Sequence, residues 1–492
     1  MKLIRCIYSI GLVLFLMSCK EDDAPKIRVD EVKPESGVVG DTLIVYGYFP
    51  GNPQVLIDNV PLSIVDQNED SIRFKIPSSI SAGVKSINVS NNDSDFGPIQ
   101  FTLYPDLLSI DKSIITHNDE AIIIGTGFSP ILDENKVCFN SQCITVLEAS
   151  TTQLRVKVPT NIDVGEKVLI VSVSSLVGIV SSLASKSLID VAVYGWQKIT
   201  DHPRGVFNSI ASFAIADNLY FLLSVNFSQT GFAHEVWRYN LTNNSWFQVK
   251  DFPGEQSRVE TTSFSINEKG YVGLGYSYTL NHAVKDFWEY DPASDLWTQV
   301  SDFPGEARTG QCSFTLNGKG FIGTGISNGI TSQKDFYSFD PLLNQWDQIA
   351  DYPGGQIYGA SSLTQNNDAY VIGGVINNDQ PFNQAWKYNN NSGTWTRISD
   401  YPGVTSAGLA SFGLNSFGYS GLGWINDNTP SQRIWAYDLL NDNWSEINAF
   451  IGSERFSFTY GTIGKYGYYG LGFRGNTAFS DLWVYLPKDF IP

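Results

Sequence analysis

The chain has 492 residues, 42% of them hydrophobic and 13% aromatic, which is ample for two to four packed cores and excludes an intrinsically disordered protein. With 32 Lys and Arg against 50 Asp and Glu, the formal net charge is −18 and no basic stripe is visible, which argues against a nucleic-acid partner. Acidic surfaces are also ordinary solubility devices, so the sign alone selects no ligand.

Residues 1–18 read as an export signal: Lys2 and Arg5 precede the apolar run Ile10 to Met17, which is too short to span a bilayer. The run ends in Leu16-Met17-Ser18-Cys19, which resembles the bacterial lipobox whose cysteine is lipidated and becomes the first residue. Cleavage would remove two positive charges and take the net charge from −18 to −20. Lys20, Glu21, Asp22 and Asp23 follow within a tether over residues 19–27 and resemble the surface-export tag of Bacteroidetes lipoproteins, although a solvated linker explains the same charges. The resemblance implies an outer-membrane protein held by lipid alone and facing the cell exterior.

Residues 28–104 and 105–192 each predict a small β-sandwich from short alternating strands between turn signals. The first contains Pro34-Glu35-Ser36-Gly37, Leu43 to Gly47, Val55 to Ile57 and Phe74-Lys75-Ile76-Pro77. The second repeats the layout with Ile122 to Phe128, Val137 to Asn140, Val156-Lys157-Val158-Pro159 and Val168 to Val173, without the Pro-x-x-Gly opening. Both resemble IPT/TIG domains of the immunoglobulin-like class, and the resemblance implies spacers. A two-residue turn at Asn140-Ser141 would set Cys138 opposite Cys143 within disulfide reach. An exported protein could form that bridge, and two thiols on one face is the alternative. Cys312 has no visible mate and reads as a small core residue.

From residue 193 to the end, tryptophan recurs at 196, 246, 297, 346, 395 and 444, each in a phrase such as Asp286-Phe287-Trp288-Glu289-Tyr290 followed by Trp297 and Asp302-Phe303-Pro304-Gly305. A period near 50 residues built of short strands predicts a β-propeller, because one unit cannot bury its own faces. The segment resembles the kelch family, with the Gly-Gly pair kept at Gly373-Gly374 and the form Gly-x-Gly at Gly273, Gly323, Gly421 and Gly470. The expected fold is therefore all-β: two immunoglobulin-like sandwiches followed by a six-bladed kelch-type propeller. The Trp196 strand precedes all the inner strands, so it is expected to complete the last blade and remove the free edges of an open ring.

On one propeller face the turns are short and stereotyped. On the other the loops are long and differ between blades, as in 277–285, 327–334 and 474–480, and such loops carry binding specificity. Two columns converge there. One holds Val225, Tyr276, Ile326, Val375, Trp424 and Phe473; the other holds Phe207, Arg258, Arg308, Ile357, Ser406 and Arg455. The candidate ligand-binding residues are Tyr276, Tyr278, Trp424 and Phe473 as stacking surfaces and Arg258, Arg308 and Arg455 as cationic forks, a set that suits an acidic sugar. The alternative is that the arginines tie blades together through backbone carbonyls and the aromatics pack between blades. Phe227, Phe232, Phe382 and Phe479 lie in the long loops and are expected to be freer to meet a ligand.

Chemistry finds little support. The kelch enzyme galactose oxidase needs paired His, Tyr and Cys ligands around copper, and His202, His234 and His282 have no paired spacing; no metal or cofactor is expected. A kelch-type sugar epimerase would use Glu306 with Arg308 or Glu454 with Arg455. The leading reading is non-enzymatic: a surface lipoprotein binding a carbohydrate or other nutrient beside a Sus-type uptake system, which is analogy. The second is a protein-docking subunit of an outer-membrane complex.

Overall fold

The computed structural model describes residues 26–487 apart from 93, 113, 175–182, 186, 206, 227–233, 256–257, 377–379, 404–407, 426–428, 448, 456–457 and 475–476, and only the backbone of 183, 207–210, 224–226, 424–425 and 429. Cys19, the signal, and Phe227 and Phe232 lie outside the described residues. Strands dominate, and the described residues contain one short 3-10 turn, Leu132–Glu134, and no α-helix. The chain divides into two compact units: one made of residues 1–113, 120–157 and 167–191, the other of 114–119, 158–166 and 192–492.

The first unit holds two sandwiches. In the first, strands Arg28–Lys33, Thr42–Tyr48, Ser71–Lys75 and Ile64–Gln67 form one sheet. Ser36–Gly37, Asp95–Leu103, Gly83–Ser90, Gln54–Ile57 and Val60–Leu62 form the other. Strict alternation directs Leu43, Val45, Ile72, Phe74, Val55, Ile57, Ile87 and Val89 inward, where all are buried. The second sandwich opens its first sheet in the same way, with Asp106–Ile110, Glu120–Thr126, Gln153–Lys157 and Val146–Ala149. Its hairpin Asn135–Phe139 to Gln142–Ile144 pairs Cys138 with Cys143, and a disulfide joins them at a Cα–Cα distance of 3.8 Å.

The second unit is built from five four-stranded antiparallel sheets and a sixth set of four antiparallel strands that forms part of a larger sheet, called blades 1 to 6 in chain order of their inner strands. Those inner strands are Phe207–Ile215, Thr262–Ile266, Cys312–Leu316, Ser361–Gln365, Ala410–Leu414 and Thr459–Ile463. The outer strands of blades 1 to 5 each contain one of the recurrent tryptophans, from Trp246 to Trp444. Blade 6 takes its outer strand from the start of the unit: Ile189–Asp201 pairs antiparallel with Asp481–Leu486, Trp196 opposite Tyr485. Apolar clusters seal each neighbouring pair of blades, and the one joining Leu219, Phe221 and Tyr239 to Ile463, Tyr468 and Val484 closes the ring between blades 1 and 6. Residues 114–119 and 158–166 belong to this unit because Ile114–Thr116 pairs in parallel with Ala192 to Tyr194 and Gln197 holds Asp163 and the Val164 N–H.

The tryptophan period has a direct physical cause. In each blade the Trp stands opposite a Phe or Tyr of the third strand, with ring centroids 4.9–5.0 Å apart in all six, as in Tyr290–Trp297 and Trp196–Tyr485. The indole N–H then crosses to the preceding blade: Trp297 donates to Lys250 O (3.0 Å), Trp346 to Ser301 O (2.9 Å), Trp395 to Ala350 O (3.1 Å) and Trp444 to Ser399 O (2.9 Å). One side chain thus supplies both packing within a blade and a hydrogen bond between blades, which no smaller aromatic can do.

Candidate functional site

The arginine column lies where each chain segment enters its inner strand, but its guanidiniums face inward. Arg258, Arg308 and Arg455 are at most 1% exposed. Arg308 grips Asp335 in a fork (2.5 and 3.0 Å) and donates to Glu306 O and Thr324 O. Arg455 repeats this with Asp481, Ser453 O and Leu471 O, and Arg258 Nη2 lies 2.6 and 2.7 Å from the two oxygens of Asp286. Each guanidinium also lies over the ring of the Asp-Phe-Pro-Gly phrase or its equivalent: Phe252, Phe303 or Phe450. The expectation of cationic forks for a ligand is therefore corrected: all three guanidiniums are buried and ion-paired inside the protein, those of Arg308 and Arg455 with carboxylate and carbonyls together and that of Arg258 through Nη2 alone. The acidic partners are the aspartates two residues before the third-strand aromatic.

Two of those aspartates serve an arginine and a tryptophan at once, since Trp288 and Trp483 give their N–H to Asp286 (2.8 Å) and Asp481 (2.7 Å). Burial alone would raise the Asp481 carboxyl, and the Arg455 guanidinium and Trp483 N–H outweigh it and hold the group below its ordinary value. Blades without the arginine lack the aspartate as well. In sequence, blade 4 has Ile357 and Gln384 at the two positions, and blade 5 has Ser406 and Arg433; the Arg433 guanidinium is held by Glu446 (2.6 and 2.8 Å). In blade 1 the cation is moved three residues back: Arg204 holds Glu235, which accepts from Trp237 (2.8 Å). This co-occurrence inside one sequence is the signal that sequence reading missed.

The aromatic column opens a set of short hairpins over the variable-loop face. Tyr276–Ser277 pairs with His282–Ala283, Trp424–Ile425 with Thr429–Pro430 and Phe473–Arg474 with Thr477–Ala478. Tyr276 is half-buried, donates its hydroxyl to Asn281 Oδ1 (2.7 Å) and meets Tyr278 edge to face at 5.5 Å; Tyr278 is 56% exposed. The structure thus brings two of the expected aromatics together on blade 2. Phe473 takes the matching place on blade 6, and the Trp424 side chain lies outside the described residues. Phe382 packs against the cluster between blades 3 and 4 and Phe479 covers Arg455 at 4.1 Å, so neither is the loop aromatic it was expected to be.

A cavity of about 430 Å³ follows the propeller axis, lined by the inner strands of all six blades. Apart from one carboxylate at the mouth, its wall is neutral and rich in hydroxyls. Ser263, Ser313 and Ser362 each donate to the carbonyl of the equivalent serine one blade back (2.7, 3.2 and 2.6 Å). Tyr460 holds the serine place in blade 6 and reaches over blade 5 to Ser361 (2.9 Å). Sequence reading also missed Glu260 at the mouth, the one acidic or basic side chain among the lining residues.

Comparison with known proteins agrees with this architecture. The IPT/TIG domain family matches residues 28–103, and the Kelch motif family matches residues 357–400. The chain carries a TIG domain and a Kelch motif. No curated protein matches it. Among solved structures, the "Structure of YjhT" is 16% identical with a TM-score of 0.51, covering 59% of this chain and 97% of that one, a likeness of fold. The fold class is all-β, with an immunoglobulin-like domain and a kelch-type propeller.

Proposed function

We propose that the propeller is a non-catalytic module that binds a neutral glycan on its variable-loop face, carried at the outer membrane by a lipid on Cys19 and working beside a Sus-type uptake system. The observation that carries this reading is the Tyr276–Tyr278 pair, a half-exposed aromatic corner fixed by Asn281, on a face whose three arginines are withdrawn into ion pairs. Aromatic faces stack on sugar rings, and the hairpins around them are rich in Asn, Ser and Thr, which exchange hydrogen bonds with hydroxyls. With the guanidiniums buried and ion-paired, a neutral sugar suits the face better than the acidic one the sequence suggested. An array of neutral and acidic oligosaccharides tests it: hits confined to neutral glycans, weakened about tenfold by Tyr278→Ala, are the expected outcome, by analogy with base stacking at about 1–3 kcal/mol per ring. Binding only to acidic glycans, or unchanged in Tyr278→Ala, refutes it.

A docking role is the second reading. It is favoured by Leu342 and Leu440, 88% and 81% exposed on the short-turn face in blades 3 and 5, where a partner protein would cover apolar surface. Co-purification of an outer-membrane partner that is lost in Leu342→Glu supports it.

A further inference from the structure

Just ahead of the inner strands, at the mouth of the axial cavity on the variable-loop side, the same position in successive blades takes a left-handed backbone. It is Glu260 in blade 2 (φ 52°), Gly310 in blade 3 (φ 61°), Gly359 in blade 4 (φ 66°) and Gly408 in blade 5 (φ 71°). The glycines link through their backbones, Gly359 N to Gly310 O (2.7 Å) and Gly408 N to Gly359 O (3.0 Å). At Glu260 the link is different: its carbonyl accepts from the Gln311 side chain (3.2 Å). Glycine adopts this conformation without a Cβ clash and glutamate does not, so blade 2 carries a conformational cost that blades 3 to 5 avoid.

The fold gains nothing visible in return. The Glu260 side chain is exposed, and its carboxylate makes no hydrogen bond or ion pair among the described residues. Beside it, Thr261 Oγ1, in a residue 7% exposed, and Gln311 Oε1 are buried without a hydrogen-bond partner among the described residues, and both residues line the cavity. A strained residue that the scaffold does not need is a functional signature.

We infer that the mouth of the axial cavity is a sugar-binding seat in which the Glu260 carboxylate accepts hydrogen bonds from two neighbouring hydroxyls of one neutral pyranose ring, with Gln311 and Thr261 beside it. This rests on the glycan reading above and adds to it: the end residue of the glycan enters the channel while the next lies toward Tyr278. The volume of about 430 Å³ falls within the range of small-ligand sites, about 300–1,000 Å³. A carboxylate is acceptor-only, so it takes two O–H donors at once, and charge-assisted bonds of this type are the strong ones. Beneath it, serine and threonine hydroxyls and the open edges of six inner strands continue the pattern of donors and acceptors that a polyol matches.

The test uses the full chain, its Glu260→Gly and Glu260→Gln variants, and D-glucose, D-galactose and D-mannose as probes in saturation-transfer NMR. At least one of the three sugars is expected to receive saturation from the wild-type protein, and its Kd to rise at least tenfold in Glu260→Gly, with Glu260→Gln weakened as well. Glu260→Gly is also expected to melt at a higher temperature, because it adopts what blades 3 to 5 already carry. A carboxylate kept for stability would show the reverse. Affinity within twofold of wild type in Glu260→Gly, or a lower Tm, overturns the seat. Wild type that binds array glycans but passes no saturation to any of the three monosaccharides overturns the seat and leaves the variable-face reading standing. An array with no glycan hits removes that reading and the seat with it.

Discussion

Arg308 and His202 show how single residues hold this propeller, and each can be tested. Removing the Arg308 guanidinium leaves Asp335 and the carbonyls of Glu306 and Thr324 without their donor in a buried place. Arg308→Met is therefore expected to destabilise the propeller by about 3 kcal/mol, the range for breaking a buried ion pair, and Arg308→Met with Asp335→Leu by less. Urea unfolding followed by tryptophan fluorescence measures both; equal losses in the single and double variants would show that the pairing itself is immaterial. His202 stands where other blades have Phe252, Phe303, Tyr352, Tyr401 and Phe450, edge-on to Trp237 (5.3 Å) and Trp246 (4.7 Å) at the seam between blades 6 and 1. Burial pushes its pKa down to about 4, against Glu235, which raises it, while Arg204 lowers it further. The unfolded chain then binds a proton below pH 6.5 that the folded chain refuses until about pH 4. The stability of the seam is complete above pH 6.5 and falls through that window, by roughly 3 kcal/mol in all. His202→Phe is expected to flatten the loss between pH 7 and 4, and an unchanged pH profile of Tm would show that other groups cause it.

At the scale of the strand, closure matters most. Ile189–Asp201 covers the edge of Asp481–Leu486 and brings Trp196 into a cluster with Phe412, Phe450 and Tyr469. Deleting residues 194–200 removes that strand and exposes one edge of blade 6 in a ring otherwise made of paired strands. The expected result is aggregation, or a broad transition in place of a cooperative one, seen by light scattering and differential scanning calorimetry. A deletion that melts at the wild-type midpoint would mean that the strand is dispensable. The outer tryptophans contribute in smaller steps: Trp346→Phe keeps the ring against Phe339 and loses the N–H to Ser301 O, for about 1 kcal/mol.

For the whole molecule, the proposed anchor carries a prediction of its own. Lipid on Cys19 would be the main membrane contact, and no helix among the described residues is long and apolar enough to cross a bilayer. Cys19→Ala is expected to leave the protein unprocessed or released from the membrane fraction. A variant that still partitions with outer membranes and resists extraction like wild type refutes the anchor. The disulfide at Cys138–Cys143 suits an oxidising compartment, whereas Cys312 is buried and its thiol is pushed up to about 12 by that burial, so it takes no part in thiol exchange.

Much of the architecture is legible in one dimension because a repeat must satisfy the same contacts in every blade. Trp297, Trp346, Trp395 and Trp444 keep their spacing because each must reach the carbonyl of the blade before it. The Trp196 strand announces its partner because it is the outer strand left over at the start of the unit, and the sandwich strands show their inward faces by alternation. The site is another matter. A position in a column tells which face a residue stands on, not which way its side chain turns, and the turn of Arg258, Arg308 and Arg455 was decided by aspartates 26 to 28 residues further along the chain that only packing brings near. Glu260 was invisible for the same reason. Gly310, Gly359 and Gly408 stand about 50 residues apart in sequence and become its neighbours only when the ring closes, and only then does one carboxylate among glycines become a feature. Periodicity is a local constraint repeated and can be read from the chain; the channel is made by closure, which belongs to the tertiary structure alone.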